Sequence, residues 1–255
     1  MIDGYGELEF DLPGALLTAI LDRLSEVTPA DLIIANTSKI PEEQGVYTLY
    51  RKSDQKLVYI GKTDSKAGLR HRLTRHSKKI DGRRKITPED VQFKAIRLFV
   101  FTAMDLESAL INNYGGVQGV PWNHSGFGSN DPGKERDTTH YKPDHFDTQY
   151  PIRLDEAFVK IPPGEYRVAE IMKRLKQELP FLLRFFRPGK SRTKFHKDFE
   201  ATLKVTREGM TTRELLTLCM EILPSGWHST ALPSHIISYK NDNRSFPSGE
   251  EIARS

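Results

Sequence analysis

Two tyrosines stand beside glycines in GVYTLYRKSDQKLVYIG, the stretch from Gly45 to Gly61. Val46, Thr48 and Tyr50 alternate with Tyr47 and Leu49, and Leu57 to Ile60 form a second β-type run beyond a polar Ser-Asp-Gln turn. The spacing predicts a hairpin that sets Tyr47 and Tyr59 side by side on neighbouring strands. Either tyrosine alone is simply a good strand residue. Directly downstream, between Lys62 and Lys85, ten Lys/Arg stand against Asp64 and Asp81, so this stretch carries +8 while the rest of the chain carries −4. A basic run is commonly a solvated helix face. Placed straight after a tyrosine pair, it reads as a footprint for a phosphate backbone.

The elements that must position these groups follow from periodicity. Leu69, Leu73, His76 and Ile80 form one stripe of a helix over about 69–80, and Arg72 and His76, four apart, share a face. The plain readings are a histidine completing an apolar stripe and a solvated cation. Val91 to Phe101 reads as a third strand with Phe93, Ala95, Arg97, Phe99 and Phe101 on one face. A helix from about Asp105 to Asn113 carries Glu107 in its first turn, where an acid ordinarily complements the helix dipole. Gly115-Gly116 ends it, followed by Trp122-Asn123 and a loop, GFGSNDPGKERD, over 126–137. Upstream, residues 13–27 read as an amphipathic packing helix with Pro13 in its first turn, and 28–44 as an irregular connection.

The order of hairpin, helix with Arg-x-x-x-His, strand, helix with an early Glu, and then Asn resembles the catalytic module of the GIY-YIG nuclease superfamily. Tyr47, Tyr59, Arg72, His76, Glu107 and Asn123 stand in the matching places. The histidine four residues after the arginine and the Gly-Phe-Gly-x-x-Asp-Pro-Gly loop resemble the type II restriction endonuclease branch that cuts CCGCGG. The resemblance implies an α+β fold whose GIY-YIG core is a small antiparallel three-stranded sheet flanked by helices. It also implies an organisation of an N-terminal helical extension (1–44), a nuclease domain (45–150) and a C-terminal α+β region (151–255) that adds DNA or dimer contacts.

The implied activity is metal-dependent hydrolysis of phosphodiester bonds in double-stranded DNA, with Mg²⁺ or Mn²⁺ held by Glu107. Arg72 would bind the non-bridging oxygens, and Tyr47 would act as base once neighbouring cations lower its pKa. His76 would share the Tyr47 proton, Tyr59 would orient water or phosphate, and Asn123 would fix the geometry. DNA contacts are expected from Lys62, Arg70, Arg75, Lys78 and Lys79, and from Lys190, Arg192 and Lys194 in a second basic stretch, 184–207, where eight Lys/Arg face Asp198 and Glu200. One site cuts one strand, so a homodimer or tetramer is expected on a palindrome. The competing readings are a nuclease of repair or of another phage-defence system, a toxin-like nuclease of low specificity, and a non-catalytic DNA-binding module.

Composition narrows the rest. With 255 residues, 28% charged, a mean hydropathy of −0.53 and no run of 18 apolar residues, a membrane partner is not expected. The N-terminus lacks a basic segment followed by an apolar one, so the cytoplasm is the expected compartment. A lone cysteine, Cys219, excludes an internal disulfide and a cysteine zinc cluster, and His124, His140 and His145 show no organised ligand spacing. Further on, a helix is expected from near Tyr166, a capping box at Thr211-x-x-Glu214, and a strand at HIISYK. The final DNRSFPSGEEIARS is expected to be a frayed tail.

Overall fold

The computed structural model describes residues 6–7, 9, 11–63, 67–99, 106–128, 133–189, 194–241 and 243–255. The chain is α+β and divides into two units, Met1–Ser77 with Pro88–His124, and Lys78–Thr87 with Ser125–Ser255. The boundary expected at residue 150 therefore falls inside the second unit, and residues 1–44 are part of the first rather than an extension to it.

In the first unit, α1 (Leu12–Glu26) starts where the Asp11 side chain accepts the Gly14 N–H at 2.9 Å, with Pro13 in the first turn. Next come β1 (Ala30–Asp31), α2 (Ile34–Thr37), β2 (Gly45–Arg51), β3 (Lys56–Thr63), α3 (Leu69–Asp81), β4 (Val91–Arg97), α4 (Leu106–Asn113) and α5 (Gly116–Gly119). The sheet is antiparallel in the order β1-β4-β2-β3, so the expected three strands gain a two-residue fourth. Alternation sorts its two faces. Val46 and Ile60 pack with Ile20 and Leu24 of α1 and Leu106 and Leu110 of α4, which leaves Tyr47 on the opposite face, toward α3. The third strand ends at Arg97 rather than continuing to Phe101. Leu98 N–H turns to the Gln44 carbonyl, and Phe99 is exposed beneath the Arg97 guanidinium, 4.4 Å from its ring centre, instead of facing the core; Phe101 lies outside the described residues.

In the second unit, α6 (Phe146–Gln149), β5 (Gly164–Arg167), α7 (Val168–Glu178), β6 (Leu182–Phe185), β7 (Thr202–Val205), α8 (Thr212–Ile222), β8 (Trp227–Ala231), β9 (His235–Lys240) and β10 (Glu250–Arg254) follow in order. A four-stranded sheet, β10-β8-β9-β6, contains one parallel pair, β6 with β9, and a separate ribbon pairs β5 with β7. Ile171, Met172 and Leu175 of α7 and Leu215, Leu216 and Cys219 of α8 close one core with Leu183, Trp227 and Ile236. The Thr211–Glu214 capping box forms as expected. Two expectations fail. Tyr166 and Arg167 pair with Leu203 and Thr202 in β5, so α7 begins two residues later; and the supposed tail is β10, which pairs with β8 through a bulge between Glu251 and Ala253, with Ile252 and Ala253 packed against the core. Among the described residues, no helix is long and apolar enough to cross a membrane.

Candidate active site

Tyr47 lies opposite Gly61, and Tyr59 opposite Leu49, so both tyrosines project from one face as diagonal neighbours with ring centres 6.1 Å apart. The two glycines of the motif have separate steric causes. A Cβ at Gly45 would overlap the Ile96 carbonyl oxygen and lie 2.8 Å from Leu69 Cδ1, whereas one at Gly61 would overlap Tyr47 itself.

Helix α3 covers these rings with the stripe foreseen from its periodicity. Leu69, Leu73 and Ile80 are buried, and His76 is only 2% exposed between them. Its Nε2 lies 2.8 Å from the Tyr47 hydroxyl, and its ring centre is 5.6 Å from that of Tyr47 and 5.2 Å from that of Tyr59. The core histidine and the candidate catalytic histidine are therefore one and the same. Arg72, one turn earlier, is half-buried, and its Nε is sealed from solvent without a hydrogen-bond partner. A buried donor left unsatisfied is costly, and an anion placed against it removes that cost.

Burial pushes the Tyr47 phenol well above its ordinary pKa, and Tyr59 and the Glu107 carboxylate push the same way while the Arg72 guanidinium opposes them. Tyr59 is raised by burial and then by Glu107, with the Tyr47 hydroxyl, Arg72 and Arg75 opposing. Both phenols thus rest protonated, so the expected lowering of Tyr47 by neighbouring cations does not occur here, because burial outweighs the Arg72 charge. The charges of Glu107 and Arg72 act on both phenols, and that of Arg75 on Tyr59. Glu107, half-buried in the first turn of α4, puts its negative charge on both phenols. Among the described residues there is no group of three or more His, Cys, Asp or Glu suited to a metal. Glu107, a lone carboxylate whose charge is felt by both phenols, is the residue that would hold a hard divalent cation, which keeps most of its waters.

Asn123 does not offer its amide to a reactant. Its Oδ1 accepts the Ile60 N–H at 2.9 Å and its Nδ2 donates to the Ile60 carbonyl at 2.7 Å, while Trp122 N–H reaches the Val58 carbonyl at 2.9 Å. Residues 122 and 123 thereby close the open edge of β3 and hold Tyr59 in register. Asn123 is a positioning residue.

No protein-family model matches this chain, and no curated protein matches it.

The cations expected to meet DNA divide by what they already hold. Arg70 donates to the Ile40 carbonyl at 2.6 Å and pairs with Glu42 at 3.4 Å. Lys79 donates to the carbonyls of Gly126 and Phe127 at 3.0 and 2.5 Å and lies over the Phe127 and Phe146 rings. Both are engaged in bracing the fold. Lys78 and Lys194 are exposed, Lys62 and Arg75 half-buried, and Lys190 and Arg192 lie outside the described residues. Two buried charge clusters went unforeseen. Arg83, 3% exposed, pairs with Asp147 at 2.8 Å and donates to the carbonyls of Tyr150 and Pro233; Arg184 is bound in both arms to buried Asp137. Their partners stand 64 and 47 residues away, and no local pattern marks such pairs.

Proposed function

We propose that this chain is a metal-dependent endonuclease of the GIY-YIG kind, hydrolysing double-stranded DNA as a sequence-specific type II restriction enzyme. The observation that carries the reading is the 2.8 Å contact between the buried Tyr47 hydroxyl and His76 Nε2, set beside Tyr59 and an arginine whose Nε has no partner. In phosphodiester hydrolysis the attacking water loses a proton and negative charge grows on the non-bridging oxygens. Arg72 would offer its planar, permanently charged guanidinium to those oxygens. Tyr47 Oη and His76 Nε2 can hold and exchange one proton, and the Tyr59 ring stands beside both. Glu107 would hold Mg²⁺ or Mn²⁺, which makes water more acidic and screens the phosphate. Asn123 keeps β3 in place. Since each chain carries one such site, double-strand cleavage calls for two copies related by a two-fold axis.

Incubating the purified protein with Mg²⁺ and plasmid and sequencing the ends tests this. Defined, symmetric double-strand ends are expected. Intact plasmid across a range of sequences and metals would refute hydrolysis, and scattered nicks would refute the restriction assignment.

A further inference from the structure

Residues Lys134–Thr138 form a short 3-10 helix, Lys-Glu-Arg-Asp-Thr, with no apolar side chain, so hydrophobic burial cannot hold it. One carboxylate holds it instead. Asp137 is fully buried in the second unit. Its Oδ1 lies 2.8 Å from Arg184 Nη2 and 2.9 Å from His235 Nε2, and its Oδ2 lies 3.1 Å from Arg184 Nη1 and 3.0 Å from the Tyr239 hydroxyl. His235 is steadied through its other nitrogen by Ser234 Oγ at 2.7 Å, and Arg184 also donates to the Gly133 carbonyl at 3.2 Å. Taking a carboxylate and a guanidinium out of water is costly unless every bond is well made, and here a wholly polar surface segment is tied down by such a pair.

What this anchor presents is two cations, Lys134 and Arg136, on either side of one exposed acid, Glu135. Lys134 and Arg136 are both exposed, and neither forms an ion pair with a described residue. Lys134 Nζ stands 5.5 Å from the centre of the Tyr239 ring, the ring whose hydroxyl binds Asp137. Cations fixed in advance lose less freedom on meeting an anion than cations on a loose loop, which is what a contact to a regular array of phosphates rewards.

We propose that the Lys134–Thr138 helix is a preorganised clamp on the backbone of duplex nucleic acid, with Lys134 and Arg136 each meeting a phosphate and Asp137 holding both in place. The clamp rests on the nucleic-acid reading given above, but not on cleavage.

The test is binding of a labelled 30-base-pair duplex without divalent cation, followed by fluorescence anisotropy across a salt series. The Lys134→Gln/Arg136→Gln protein should bind more weakly, and the slope of log K against log salt should shrink by about two, at roughly 0.9 per phosphate contact. The control is Lys173→Gln/Lys204→Gln, which removes the same charge from two other exposed positions of this unit and should leave the slope near that of the wild type. Both positions are at the surface, and melting curves confirm the fold. An unchanged slope in the first variant, or equal changes in the two, would overturn the clamp, as would a wild-type protein that binds acidic protein but no duplex. A wild type that binds with this slope change yet never cuts would leave the clamp standing and remove the hydrolytic reading.

Discussion

The phenol ring of Tyr47 rests on the backbone of Gly61, across the pair of β2 and β3, so closely that a Cβ at position 61 would overlap Cζ and Oη and lie 2.8 Å from Cε1. The overlap involves a ring 1% exposed and locked by His76, with nowhere to retreat. Gly61→Ala should therefore cost about 1–3 kcal/mol, the usual range for overpacking, and should break the Tyr47–His76 contact. A melting curve reads the first effect and plasmid cleavage the second. An alanine protein with wild-type melting and cleavage would show that the close approach has no consequence.

Tyr47→Phe keeps the ring and removes only the hydroxyl at 2.8 Å from His76. Stability should drop by about 1–3 kcal/mol, because a buried imidazole nitrogen loses its partner. Cleavage should drop by about 100-fold or more, the scale on which a positioned proton-transfer group acts. If cleavage stays within about two-fold of wild type in the folded variant, the phenol has no part in the chemistry.

For Glu107→Gln, the dipole role of a first-turn acid is worth about 0.3–1 kcal/mol, so folding should survive. Loss of the charge that would hold the cation should lower cleavage by about 100- to 1,000-fold, measured against Mg²⁺ and Mn²⁺ concentration. A second readout needs no metal. Glu107 helps to raise both phenols, so its neutralisation should move the alkaline ultraviolet titration of Tyr47 and Tyr59 downward. Unmoved titration would place the carboxylate elsewhere.

The raised phenols also set an alkaline limit. Tyr239, pushed up to about 12 by burial and then by Asp137, ionises near 10 in the unfolded chain. A pKa raised by folding contributes stability that is complete below the unfolded value and is lost as pH climbs through the folded one. The urea midpoint should therefore fall between about pH 10 and 12, and Tyr239→Phe should soften that fall. A midpoint flat to pH 12 would contradict the burial seen here.

The parts of this fold legible in the sequence are those fixed by neighbours a few positions away. The alternation at Val46–Tyr50, the stripe Leu69–Leu73–His76–Ile80 and the Thr211–Glu214 box each state their own geometry. The candidate site was legible to the same degree, since Arg72 and His76 share a face through helical spacing alone. What stayed hidden is how charge is used. Counting Lys79 and Arg83 with Lys78 and Arg75 as one basic block hides that two of them are bound inside the fold, by groups distant in sequence. Likewise β10 looks like tail because Glu251 and Arg254 guard an edge strand, and guarding charges mask the period that would reveal it.

Helix α3 belongs to both units, with the division falling between Ser77 and Lys78 in mid-helix. Neither unit is a continuous length of chain, so no single join in a gene could deliver either one whole. A fragment ending at His124 would keep Arg83 yet lose Asp147, Tyr150 and Pro233, leaving a stripped guanidinium that the native protein buries. A lineage built this way cannot trade its second half as a cassette. Diversification has to proceed by altering loops and surfaces while one carboxylate and two carbonyls continue to meet Arg83, two residues beyond the same helix.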